Sequence, residues 1–193
     1  MRTADPHAPT KEKLLDAAQK LVMSKGYAGT SIGDICREAK SSKGSFFHFF
    51  KNKEDLAKIL LARYTDGQVE MMRSAPSARS KDPRKRALGF VDAVIATFND
   101  QSLPKSCVTG QIAQEMSATN PAMRSACAEC FGRVCATVAT ELRAGGVSKS
   151  DELAEMLISI MQGSFIMAKA QGDIAVGVRN LKHFRRYLEG LTV

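Results

Sequence analysis

The stretch SSKGSFFHFFKNKEDL, Ser41 to Leu56, places four of the chain's nine phenylalanines within five positions and surrounds them with lysines. On a helix that turns about 100° per residue, Phe46, Phe49 and Phe50 fall within an arc of roughly 100°. His48 then lies roughly opposite, beside Gly44 and Ser45, and Phe47 sits on the border. The segment divides into an apolar anchor and a small outward face. The anchor explains itself as core; the outward face calls for something that approaches it.

Working outward, the neighbouring signals are all helical. Thr10 can N-cap a first helix whose apolar positions Leu14, Leu15, Ala18, Leu21 and Val22 keep the helical rhythm, and Gly26 ends it. Thr30 and Ser31 can cap a short second helix carrying Ile32, Ile35 and Cys36, and Ser41 or Ser42 opens the third. Asn52 caps a fourth, with Glu54 and Asp55 in the first turn where the helix dipole favours negative charge. After the Ser-, Ala- and Pro-rich linker SAPSARSKDP, Asp82-Pro83 and Asn120-Pro121 each put a capping residue before a helix-opening proline. These pairs open helices near 83–100 and 121–144, with a shorter one in SCVTGQIAQEMSA between them. Two more follow, near 150–171 and 176–190. The expectation is an all-α chain of about nine helices, long enough for one large domain or one of about 130 residues with a small appendage.

Composition narrows the classes. Hydrophobic residues make up 44% of the 193, enough for a globular core, and tryptophan is absent. No uninterrupted apolar run approaches the roughly 18 residues that span a bilayer, and MRTADPHAPT has no apolar stretch for a secretory signal. Five cysteines, an odd number, fit reduced thiols better than a disulfide framework. A cytoplasmic protein with no membrane partner is expected. Of the net +8, half lies in residues 1–58, where 11 Lys and Arg stand against 7 Asp and Glu. That density favours an anionic partner.

Two short helices separated by AKSS form a helix-turn-helix candidate over residues 31–50. Such a motif lays its second helix in a DNA major groove, and Gly44, Ser45 and His48 supply the small face this needs. Lys43, Lys51 and Lys53 ring it with charge. On these residues the run GYAGTSIGDICREAKSSKGSFFHFFKNKEDL resembles the N-terminal domain of the tetracycline-repressor (TetR) family of transcriptional regulators, over about residues 10–68. The resemblance implies contacts to double-stranded DNA from Thr30, Ser31, Ser42, Lys43, Gly44, Ser45, Phe47, His48 and Lys53, with Ser31 and Lys53 on phosphates. Two residues depart from the family's pattern. Phe47 stands where a tyrosine is usual, and Lys40 replaces the usual turn glycine.

The same resemblance implies two domains, the DNA-binding one at 10–68 and, at 75–193, an all-helical module for ligand binding and homodimerisation. Apolar Met156 and Ile160, followed by the small Gly163 and Ser164, mark the expected dimer face. SCVTGQIAQEM resembles the electrophile-sensing branch of the family, that of the N-ethylmaleimide reductase repressor, and Lys169 matches that branch by position. Cys107 therefore becomes a candidate sensing thiol at a helix start. Gln111, Phe98 and Met167 are the further residues expected around a pocket for an unidentified small-molecule or electrophile inducer. Cys127, Cys130 and Cys135 share an apolar stripe with Met123, Phe131, Val134 and Val138 and read as packing residues rather than zinc ligands, since no histidine lies nearby. No metal or cofactor is expected. A helical enzyme lacks support, because no His-Glu-x-x-His, phosphate-cradling glycine loop or nucleophile elbow is present. A protein-interaction module would have no use for the Gly44–Ser45–His48 face.

Overall fold

The computed structural model describes residues 8–100 and 106–191. Among them are nine α-helices: α1 (Ala8–Lys25), α2 (Ile32–Glu38), α3 (Lys43–Phe49), α4 (Lys53–Arg73), α5 (Pro83–Asn99), α6 (Val108–Met116), α7 (Pro121–Ala144), α8 (Ser150–Gln171) and α9 (Ala175–Glu189). A 3-10 helix, Pro76–Arg79, lies within the expected linker. Thr10, expected as the first cap, is inside α1, which begins two residues earlier.

The local signals act as their chemistry dictates. Ser31 and Asp34 form a capping box, with the Ser31 hydroxyl accepting from the Asp34 N–H and the Asp34 carboxylate from the Ser31 N–H, both at 3.1 Å. Ser42 caps α3 through the Ser45 N–H at 3.0 Å, Asn52 accepts from Asp55 at 2.8 Å and Asp82 from Lys85 at 3.1 Å. Asn120 caps α7 through Met123 at 3.0 Å. Helices as short as α2 and α3 are unstable alone. Burial of Ile35, Cys36 and Phe46 fastens them. Phe50 has left the helix for an extended conformation yet remains buried, so the anchor survives the end of α3.

The turn between α2 and α3 is a Schellman motif: Ser41 N–H donates to the Cys36 carbonyl and Lys40 N–H to that of Arg37. Its left-handed position is Lys40, at φ 50°. The end of α7 repeats the pattern with Gly146 at φ 75° in the same place. A side chain in this region costs about 1 kcal/mol relative to glycine.

The chain divides into two compact units that are not contiguous in sequence. The first holds the described residues up to Tyr64 together with Val108–Ala128; the second holds Thr65–Cys107 and the residues from Glu129 onward. The expected boundary at 68–75 therefore moves. In the first unit α1 packs on α2, α3 and α6. In the second, α5, α7, α8 and α9 enclose Phe90, Val94, Phe98, Val138, Leu157 and Phe184.

Among the described residues α8 alone is long and apolar enough to cross a membrane, with a mean hydropathy of 1.2 over its best window. Ile, Leu, Met and Ala raise that average, while Ser159, Gln162, Gly163 and Ser164 keep the apolar run broken. The inner face of α8, with Leu153, Leu157 and Ala168, lies in the core of the second unit.

Candidate nucleic-acid interface

α3 presents the outward face its periodicity predicts. Ser42, Lys43, Gly44, Phe47 and His48 are exposed, Ser45 is half-buried and Phe46 is fully buried. The Ser42 and Ser45 hydroxyls lie 3.0 Å apart. A Cβ on Gly44 would meet only the Ser42 hydroxyl at 3.5 Å, an ordinary contact, so nothing inside the unit requires a glycine there. Phe47 is 54% exposed and stands edge-on to Phe46 at 5.3 Å and 82°, a fixed apolar group on a polar face. His48 is set edge-on to Phe49 at 4.7 Å.

Two of the expected contact residues turn inward. Thr30 is 1% exposed, and its hydroxyl donates to the Gly26 carbonyl at 2.7 Å, closing the turn between α1 and α2. Lys53 donates to the carbonyls of Tyr27 and Thr30, both at 3.0 Å, and its ammonium lies 4.2 Å from the Tyr27 ring centre. Burial pushes the Lys53 pKa down, opposed by the Glu115 carboxylate. In this structure Lys53 fastens α4 to the 27–30 turn rather than reaching outward. Ser31 stays exposed at the start of α2. Asp34 beside it is held well below the usual carboxylate range, first by Lys25 at 2.8 Å and then by Ser31.

Glu115 escaped the sequence reading. Its carboxylate accepts from the Tyr27 N–H at 3.0 Å and the Ala28 N–H at 2.5 Å, so α6 caps the turn that positions α2. Gly26 lies against that carboxylate: it has φ 84°, and a Cβ there would collide with Glu115 Oε1. Asn120 adds a second tie through Glu54 at 2.9 Å. A glycine in a left-handed turn was the available signal, but it names no partner.

The residues expected around a pocket are divided between the two units. Phe98 is buried in the second unit, stacked on Phe165 at 4.6 Å, and a Cβ on Gly177 would come within 2.6 Å of its ring. Met167 and Lys169 are exposed, and among the described residues Lys169 makes no ion pair or hydrogen bond, so it does not reach Cys107. Gln111 belongs to the first unit. Cys107 is 5% exposed and immediately precedes α6. Burial pushes the thiols of Cys36, Cys130 and Cys135 up. The second unit does contain a cavity of about 290 Å³, lined by Val69 and Arg73 of α4 and by Arg133, Thr137 and Glu141 of α7. The buried Glu141 is held there by Arg86 at 2.9 Å.

The expected dimer residues separate by face. Met156 and Met167 are exposed, Ile160 and Gly163 half-buried, and the four recur at i, i+4, i+7 and i+11 on one side of α8. A Cβ on Gly163 would meet nothing within 4 Å. Ser164 turns inward instead, 0% exposed, and its hydroxyl accepts from Asn180 at 3.4 Å.

Known proteins place this geometry. Residues 14–59 match the model for bacterial regulatory proteins of the tetR family, and residues 83–176 match that for the C-terminal domain of LmrA/YxaF-like transcriptional regulators. The HTH-type transcriptional regulator YxaF of Bacillus subtilis is 28% identical over 85% of this chain and 87% of its own. The HTH-type transcriptional repressor NemR of Escherichia coli is 25% identical over 61% of this chain and 59% of its own. The crystal structure of reduced NemR superimposes with a TM-score of 0.79, at 22% identity, over 92% of this chain and 95% of that one. With both halves matched to one family and the fold shared along nearly the whole length, the chain belongs to the TetR family of bacterial transcriptional regulators.

Proposed function

We propose that this regulator is a cytoplasmic, homodimeric repressor that binds a near-palindromic operator and is released by a small-molecule or electrophile signal. The observation that carries the DNA-binding part is Gly44. Glycine loses more backbone entropy on entering a helix than alanine does, and Gly44 is the second residue of α3. Here no internal contact calls for one. Its smallness serves an outside surface, and the major groove is what a helix with Ser45, Phe47 and His48 alongside fits. Lys43 and Lys51, both exposed, supply charge for the flanking phosphates.

A single subunit carries one reading helix, so selective binding calls for two copies. The stripe Met156–Ile160–Gly163–Met167, with Ile166 and Tyr187 also exposed, supports pairing through α8 and α9. It also offers the long apolar helix a protein partner instead of a membrane. For release, the electrophile reading rests on Cys107. An adduct on the residue entering α6 would displace that helix and the Glu115 carboxylate at its far end. The turn that sets α2 and α3 would then lose its cap.

The test is selection of bound fragments from random DNA by the purified protein, followed by fluorescence anisotropy on the enriched site. A symmetric site bound far more tightly than scrambled DNA is expected. Enrichment of no sequence would defeat the proposal, whatever the protein's general affinity for DNA.

A further inference from the structure

We infer that Lys40, in the left-handed turn between α2 and α3, is a DNA-phosphate contact; the inference rests on the operator-binding reading above. Lys40 holds the φ 50° position of a Schellman motif that this chain fills with glycine at the end of α7. The backbone is therefore better served by another residue, and strain retained at a surface turn points to a use for the side chain. That side chain is exposed, and among the described residues its ammonium makes no hydrogen bond or ion pair. The other left-handed lysine, Lys149, has Glu152 at 3.7 Å.

Position supplies the partner. In a helix-turn-helix the first helix crosses the DNA backbone while the N-terminus of the second meets base edges. The turn joins those two places, so a long cation on it borders the phosphates that flank the groove. Lys43, three residues on and also exposed, extends the same positive edge. A lysine here also complements the C-terminal dipole of α2. That effect acts on stability alone and leaves the salt dependence of DNA binding untouched.

The experiment compares the parent with Lys40→Gly, Lys40→Asn and Lys40→Arg on the selected operator, by anisotropy between 50 and 200 mM salt. Glycine and asparagine both accept the left-handed backbone without the charge. Each phosphate contact contributes about 0.9 to the slope of log affinity against log salt. Two copies of Lys40 in a dimer complex therefore contribute about 1.8, so the parent's advantage over the neutral variants should shrink roughly twelve-fold across that range. Lys40→Arg should keep the parent's slope, and all variants the same site preference. Lys40→Gly should melt no lower than the parent, which excludes misfolding as the cause. Parental operator binding with an unchanged slope in both neutral variants overturns this inference alone. Failure of the parent to select any DNA overturns the operator-binding reading, and this inference with it.

Discussion

Replacing Glu115 with alanine removes the cap on the turn between α1 and α2, and its size follows from two hydrogen bonds. The carboxylate accepts from the half-buried Tyr27 N–H at 3.0 Å and the more exposed Ala28 N–H at 2.5 Å. A hydrogen bond to a charged group contributes about 1.5–3 kcal/mol, and a buried donor left without a partner loses most of that. Water replaces the carboxylate at Ala28, so that bond counts for about 0.5 kcal/mol. The loss expected for Glu115→Ala is therefore about 2–3 kcal/mol in the first unit. Glu115→Gln keeps one acceptor and turns an amide N–H toward the other donor, and should lie between. The assay is urea unfolding by circular dichroism with hydrogen exchange of peptides covering residues 24–31. Combining the change with Gly26→Ala isolates the contact. Strain from φ 84° acts in both backgrounds, whereas the collision with Glu115 acts only in the parent. Gly26→Ala should then be less damaging beside Glu115→Ala than alone. An unchanged urea midpoint with unchanged exchange at 24–31 would refute the reasoning.

Acid should weaken α2 through Asp34. Its folded pKa lies below the unfolded value of about 3.9, so its contribution is full above about pH 4 and is lost as pH falls through the folded value. Asp34→Asn should lower the melting temperature at pH 7 and leave less of a difference at pH 3; equal differences at both would remove Asp34 from the account. Gly163→Leu, whose Cβ would meet nothing within 4 Å among the described residues, should leave the fold intact while shifting sedimentation toward monomer, and an undisturbed dimer would take Gly163 out of the interface. Ser45→Ala and His48→Ala should change the preferred operator more than general affinity, measured by repeating the random-DNA selection; retention of the parental site by both would displace the reading face. A limiting maleimide should label Cys107 before Cys36, Cys130 and Cys135, whose thiols burial pushes up, and should weaken operator binding in the parent but not in Cys107→Ser. Mass spectrometry finding another cysteine modified first would make Cys107 a packing residue.

The sequence by itself determined what is settled within one turn of chain. Ser31, Ser42, Asn52, Asp82 and Asn120 cap helices because their oxygens meet N–H groups three residues on, a geometry that holds wherever the helix lies. The outward face of α3 follows from the helical repeat alone, and so does the stripe of Met156, Ile160 and Gly163. Tertiary structure decided what depends on partners far along the chain. Glu115 meets Tyr27 across 88 residues and draws α6 into the first unit. Lys53 is a phosphate contact by resemblance, yet the Thr30 carbonyl 23 residues away turns it inward. Ser164 is buried and Met167 exposed for a related reason. Successive residues on a helix point about 100° apart, so only the neighbours of α8 show which of them meets Asn180 and which stays exposed. Local hydrogen bonds are written in the order of residues; the direction a helix face looks is fixed only once the other helices have packed against it.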